Sequence, residues 1–309
     1  MDTLTLVAPT PPSSRWYRRA QAKKRGFGTP SWFAIPLLAF FGGIVAVPTL
    51  LGVYYAFTDW DGLSAVPQFI GFGNFIELFQ QPKTMTALGN TVLIAVCVTV
   101  VQNGIGLALA AGVNSRIKSR NVLRTLLFAP VVMTSIIVGY LWQFLFVPNG
   151  PIAQIAEVFG IENLNMLGNP KTAIWGVIIV VVWQHAGYSM VIWLAGMQGI
   201  PEEITEAAAL DGAGSWKRFV HITWPLLRTP LVINLTLSLI SSFKLFDQVM
   251  ATTQGGPGYA TQTLSTLLYF EAFQFNNFSS GIALGVIVFV LTAVISFSQM
   301  YLFRDRNAS

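Results

Sequence analysis

Residues 200 to 230 read IPEEITEAAALDGAGSWKRFVHITWPLLRTP, a charged, helix-forming island between two runs too apolar for water. Pro201 suits a first helical turn, and Glu202, Glu203 and Glu206 put negative charge near the positive end of the helix dipole. Ala207, Ala208, Ala209 and Leu210 continue the helix with a small-residue face. Gly212, just past the last good helix former, is placed to take the left-handed conformation that ends it, with Gly214 as a second stop. The expected product is a helix of about two turns. Its alanines, with Ala213 beyond the stop, let another surface come close. The glutamates and Asp211 offer acceptors to basic groups on that surface. The competing reading is a connecting loop that happens to be helical.

The flanks decide the class. With 53% hydrophobic and 10% charged residues, the 309-residue chain lies far from the soluble norm. A bilayer-crossing helix needs about 20 apolar residues. Six segments qualify: Trp32 to Phe57, Ala87 to Val113, Leu126 to Val147, Thr172 to Met197, Leu231 to Thr253 and Gly281 to Phe303. The fold class is therefore all-α, a polytopic membrane protein with six transmembrane helices and an extramembrane helix at 202–212. The first segment is too long for a signal-peptide core, and acidic Asp59 and Asp61 follow it rather than a small-residue cleavage site, so it is expected to stay as an anchor. The expected organisation is a basic arm (1–30), a six-span domain (31–303, with the loop 200–230) and a short tail (304–309). Residues 1 to about 14 read as disordered, and the basic cluster Arg15 to Arg25 as lying on the inner membrane surface.

Threading six spans puts the arm, Arg116, Lys118, Arg120, Arg124, Lys217, Arg218, Arg228, Arg304 and Arg306 on one side. Only Lys83 and Lys171 fall on the other. Fifteen basic residues against two make the first side cytoplasmic, with both termini and the 200–230 loop on it.

Other chemistries find little support. Cys97 is single and reads as a packing residue, and His185 and His221 have no cysteine or paired carboxylate at ligand spacing, so no metal site is expected. No lysine follows a glycine, so the chain has no phosphate loop of the GxxxxGK[ST] kind and is expected to bind no nucleotide itself. No nucleophile, base or metal cluster at membrane depth suggests an enzyme, and no nucleic-acid partner is expected.

Within the spans, Lys244 and Asp247 stand three residues apart, which on a continuous helix is one face. Ionisable groups at that depth mark a pathway, a local ion pair or a gate contact to another subunit. Trp183, Gln184, His185, Tyr188 and Trp193 combine flat rings with hydrogen-bonding groups, a mixture that suits a sugar. Aromatics in spans also serve as interface belts or packing. Of these, Trp183, Gln184 and Tyr188 join Lys244 and Asp247 as pathway candidates, and His185 reads as a hydrogen-bonded interior histidine.

The pattern Glu206-Ala207-Ala208, three residues, Gly212, nine residues, Ile222, two residues, Pro225 resembles the EAA loop of importer permeases of the ATP-binding cassette class. Trp224 departs from it, since the family usually has leucine there. Ile70-Gly71-Phe72-Gly73-Asn74-Phe75, Asn90-Thr91, Phe246-Asp247 and the Gly255-Gly256-Pro257-Gly258 turn resemble the carbohydrate-type permeases of that class, and more the first than the second member of the usual permease pair. The resemblance implies a bacterial plasma-membrane subunit paired with a second, similar permease. Beneath the pair lie two ATPase subunits that hold ATP and Mg, and an extracytoplasmic solute-binding protein delivers the substrate. It implies ATPase coupling through Glu202, Glu203, Glu206, Ala207, Ala208, Leu210, Asp211, Gly212 and Ala213, and a sugar or related polyol phosphate as cargo. Two rivals stand beside it. One is an ion-coupled secondary transporter, which calls for more intramembrane carboxylates and a repeat of broken helices. The other is a membrane scaffold that transports nothing.

Overall fold

A computed structural model describes residues 31–303 apart from 65, 116, 117 and 163. The basic arm and the short tail expected from the sequence lie outside the described residues. Two units are distinguished, Met1–Gly52 and Val53–Ser309. The first unit's described part is most of helix α1 (Ile35–Tyr55). The second contains α2 (Gly73–Gln80), α3 (Pro82–Asn114), α4 (Arg120–Val132), α5 (Ser135–Leu145), α6 (Pro151–Val158) and α7 (Ala173–Gln198). Then follow α8 (Glu202–Leu210), α9 (Ser215–Leu226), α10 (Arg228–Phe243), α11 (Asp247–Thr252), α12 (Leu264–Tyr269) and α13 (Phe278–Leu302). Among the described residues the only β pairing is an isolated bridge between Thr58 and Phe69.

Among the described residues four helices, in α1, α3, α7 and α13, are long and apolar enough to cross a bilayer, and the number rises to six if each of two bent pairs is one span. The pairs correct the sequence expectation. The third segment, read as one helix from Leu126 to Val147, bends by 97° between α4 and α5. Pro130 sits inside α4, and Met133 and Thr134 are extended, so the helical ladder stops there. The fifth segment, read as continuous from Leu231 to Thr253, ends at Phe243 and restarts at Asp247, and α9 meets α10 at 66°.

In lipid, apolar side chains gain little by touching each other rather than a hydrocarbon tail, so close backbone approach and hydrogen bonds hold helices together. Both are visible around α7. A Cβ at Gly106 of α3 would lie 2.5 Å from Ser189 Cβ, and one at Gly187 would lie 2.2 Å from the Leu127 carbonyl oxygen of α4. Only glycine admits these approaches. Around Gly106 an uncharged polar knot ties α3, α7 and α10. Gln102 Nε2 donates to Ser189 Oγ at 2.9 Å, Asn103 Nδ2 donates to Ser238 Oγ at 3.1 Å, and Ser238 Oγ donates to the Asn234 carbonyl at 2.8 Å. On either side the contact is apolar, with Ile94 and Val98 against Val177, Ile178 and Val181, and Ala110 and Val113 against Met190, Trp193 and Met197. Cys97 packs, partly buried, beside the first of these clusters.

The 70–75 motif is structural as well as superficial. Asn74, buried, donates from Nδ2 to the carbonyls of Ala56 (2.9 Å) and Thr58 (2.8 Å), stapling the chain where it leaves α1. Of the motif's two phenylalanines, Phe72 is exposed, whereas Phe75 packs partly buried beside Leu78 and Ala87.

Candidate functional site

The helix expected from the 200–230 island is α8, nine residues beginning at Glu202. Pro201 precedes it as the extended N-cap (ψ 133°) rather than entering the first turn. The stop is built as its sequence demands. Gly212 has φ +78°, its N–H donates to the Ala209 carbonyl at 3.1 Å, and the Ala213 N–H reaches back to the Ala208 carbonyl at 3.0 Å. These are the two bonds of a Schellman ending, and they satisfy carbonyls that the helix end would otherwise leave open. A Cβ at Gly212 would meet no atom within 4 Å, so the requirement for glycine is set by backbone angle alone.

No residue of α8 is buried. Glu202, Glu203, Glu206, Ala207, Asp211 and Gly212 are exposed, Ala208 and Ala213 are half-buried, and Leu210 is 89% exposed. Trp216, just after the stop, is 75% exposed. The patch therefore combines carboxylates on the first turn and at the C-cap with two large bare apolar side chains. Behind it a cavity of about 700 Å³ with a mixed lining separates the loop from the ends of α3 and α7, with Asn114, Gln198, Glu202 and Arg218 beside Met197 and Phe219 in its walls. Trp224, the departure from the EAA pattern, stacks on Trp193 of α7 at 6.2 Å between centroids, which gives the unusual ring a packing role.

The intramembrane candidates separate into two groups. Trp183 and Tyr188 are partly exposed on α7, Trp183 meeting Trp142 edge-on at 5.5 Å. Gln184 is buried with both ends of its amide engaged. Its Nε2 donates to the Met133 carbonyl at 3.0 Å, and its Oε1 accepts from Gln248 Nε2 at 3.0 Å. It thus satisfies the carbonyl freed at the α4/α5 bend and links that bend to α11. His185 bonds through Nδ1 to the Val181 carbonyl at 3.0 Å, the expected interior arrangement. Lys244 and Asp247 do not share a helix face, which corrects the sequence reading. Lys244 caps α10, Asp247 opens α11, both are exposed, and among the described residues they form no ion pair.

Sequence reasoning missed one charged pair. Glu271, 1% exposed, pairs with Lys83 Nζ and accepts from Asn277 Nδ2 at 3.1 Å, tying the start of α3 to the turn before α13. The signal was present as a lone carboxylate in the apolar run LLYFEAF. Among the described residues no three His, Cys, Asp or Glu side chains gather as metal ligands.

An all-helical polytopic chain with two bent apolar helix pairs and a bare, glycine-stopped helix outside its long apolar helices has the architecture of a membrane transport subunit. The chain belongs to the family of binding-protein-dependent transport system inner membrane components, whose pattern matches residues 102–307. It is 37% identical to the probable starch degradation products transport system permease protein AmyD of Thermoanaerobacterium thermosulfurigenes, over 93% of this chain and 99% of that one. It is 32% identical to the multiple sugar-binding transport system permease protein MsmF of Streptococcus mutans (82% and 88%), and 31% identical to the trehalose/maltose transport system permease protein MalF of Thermococcus litoralis (87% and 90%). Its fold is that of a chain in a bacterial transporter that imports the acidic polysaccharide alginate, with a TM-score of 0.78 at 20% identity over 96% of this chain and 100% of that one. As a family member the chain is a permease of an ATP-binding cassette importer and an inner-membrane component. It is no enzyme, since ATP hydrolysis in such importers belongs to separate subunits.

Proposed function

We propose that this chain forms half of the translocation pathway of a sugar importer, paired with a second, similar permease, driven by two ATPase subunits that bind ATP and Mg, and supplied by an extracytoplasmic binding protein. The observation that carries the coupling role is α8 itself, a rigidly ended helix with no buried residue that bears Glu202, Glu203, Glu206 and Asp211 beside Leu210. A partner surface with basic groups and an apolar groove complements it. Ala207, Ala208 and Ala213 let that surface close on the backbone, and Gly212 keeps the lever stiff at its end.

The working cycle is alternating access. Closure of the ATPase pair on ATP moves α8 in its groove, and the crossings swing to open the pathway outward, where the binding protein releases its cargo. The charge asymmetry of the sequence supports cytoplasmic termini and a cytoplasmic α8. Sugar as cargo is supported by the transport systems to which AmyD, MsmF and MalF belong. Trp183, Tyr188, Lys244 and Asp247 are the exposed side chains proposed along the pathway, with Gln184 holding the bend beside them. The domain limits proposed are those read from the sequence: an arm over 1–30, the permease over 31–303 and a tail over 304–309.

Extraction of the tagged chain from native membranes in mild detergent, followed by mass spectrometry of all co-purifying proteins, tests the assembly. The expected result is an ATPase with a phosphate loop together with a second polytopic permease, and reconstituted uptake that requires ATP and survives collapse of ion gradients. A chain that emerges alone, or uptake that dies with the ion gradient, removes the proposal.

A further inference from the structure

At the end of the molecule remote from α8 lies a recess with a different composition. The two ends of α3 mark the separation. Asn114 lines the cavity behind α8, while Asn90, about 36 Å away along the helix at 1.5 Å per residue, donates from Nδ2 to the carbonyls of Tyr259 (3.2 Å) and Gln262 (3.0 Å). Those carbonyls belong to the turn after α11. The turn is fixed from within, by Thr253 Oγ1 against Thr261 Oγ1 at 2.7 Å and by Thr261 Oγ1 donating to the Gly256 carbonyl at 2.8 Å. Together with the π turn Phe270–Gln274 it encloses about 260 Å³.

The walls carry three amides and three rings and no charged side chain: Gln254, Gln262 and Gln274 with Tyr259, Phe270 and Phe275. Gln254, Gln274, Tyr259 and Phe275 are exposed. Gln262 is 2% exposed, and its Nε2 has no hydrogen-bond partner. Buried amides are almost always bonded, so an orphan donor in the wall of a recess marks a place where a ligand oxygen belongs. Lys83, whose Nζ lies 5.4 Å from the centroid of the Phe275 ring, is already paired with Glu271. The volume is below the roughly 300–1,000 Å³ of sites for drug-sized ligands, which fits one ring rather than a chain.

We propose that this recess binds a single ring of a neutral, hydroxyl-rich ligand, a pyranose unit of the transported sugar, on the face of the permease opposite α8. Gln262 donates to a ring hydroxyl oxygen, Gln254 and Gln274 serve further hydroxyls, and Tyr259 with Phe275 presents apolar surface to the C–H face. The site rests on the reading of the cargo as a sugar and deepens it. It places a hand-over point between the binding protein and the intramembrane pathway.

Two variants test it in the full complex reconstituted with its binding protein. Gln262→Met keeps the shape and removes an amide nitrogen that bonds nothing within the protein, so a purely structural residue gains or keeps thermal stability on this change. Tyr259→Asn removes a surface ring and keeps a residue type that tolerates the local φ of 68°. Uptake of maltose, lactose, trehalose and chitobiose is measured first with the unaltered complex, and the sugar that supports uptake is used thereafter. The expected result is a KM for uptake raised about tenfold in each variant, the equivalent of one lost hydrogen bond or stacking contact, with melting temperature and binding-protein affinity unchanged. If none of the four sugars is imported, the sugar reading fails and this site with it. If sugar is imported and both variants keep the original KM, the site alone is overturned. A change in binding-protein affinity with sugar KM unaltered overturns it as well, because the recess then receives a side chain of that protein.

Discussion

The two main connections of the C-terminal half are built on opposite plans. Between α7 and α10 the chain runs out as α8 and α9 with no residue of α8 buried, and Leu210 and Trp216 are left almost bare. Between α11 and α12 the turn is closed on itself, with Thr253, Thr261, Asn90 and Gln262 joined by short hydrogen bonds. The second connection is held by the subunit's own contacts, and the first is left open for the proposed ATPase partner. Stability of the isolated subunit and function of the assembly should therefore respond to different residues.

The largest expected loss of stability comes from Glu271→Ala, which leaves Lys83 partly buried without its counter-charge. A cost of about 3 kcal/mol in denaturant unfolding of the purified subunit is expected, at the low end of the range for broken buried pairs because Lys83 keeps some solvent. Next is Asn90→Leu, which strips two carbonyls of the turn of their donor and is expected to cost about 1–2 kcal/mol in the same assay. Gly212→Val forces a branched side chain to φ +78° and is expected to cost about 1–2 kcal/mol locally. The subunit still inserts, but transport-coupled ATP hydrolysis in proteoliposomes falls at least about tenfold. Unchanged transport in that variant would break the comparison at its centre. Leu210→Ser should change subunit stability by less than about 0.5 kcal/mol while reducing the amount of ATPase that co-purifies.

The smallest effect concerns pH in the loop after α1. The Ser64 hydroxyl and the N–H groups of Leu63 and Ser64 hold the Asp61 carboxyl down to about 2 from an ordinary 3.8. A depressed carboxylate contributes its order above the ordinary value and loses it as pH falls through the lowered one. Hydrogen exchange at Leu63 and Ser64, corrected for intrinsic rates, should therefore show protection that declines between pH 3.8 and about 2, a decline missing in Asp61→Asn, whose amide does not titrate.

The α8 region was readable from sequence because its causes are local. Acidic residues at one end, alanines along the middle and glycine at the stop act within one or two turns. The broken crossings were harder. An apolar run carries no mark of where its ladder stops, and Pro130, the one available sign, sits in a segment otherwise continuous in hydropathy. Lys244 looked like a charge on a helix face and is instead the residue on which the helix ends. The role of Gln184 was out of reach, since its partners lie 51 and 64 positions away in the chain, and Glu271 finds Lys83 across 188.

The glycines at 106 and 187 have a mechanical consequence. With Ser189 seated on one and the Leu127 backbone on the other, α3, α4 and α7 mesh so closely that none can slide along its neighbour without collision. A push delivered at the α8 end of α7 is then carried along a solid strut. The give must come from the joints on either side, at Met133–Thr134 and Lys244–Phe246, where the helical path is interrupted and fewer ladder bonds oppose rotation.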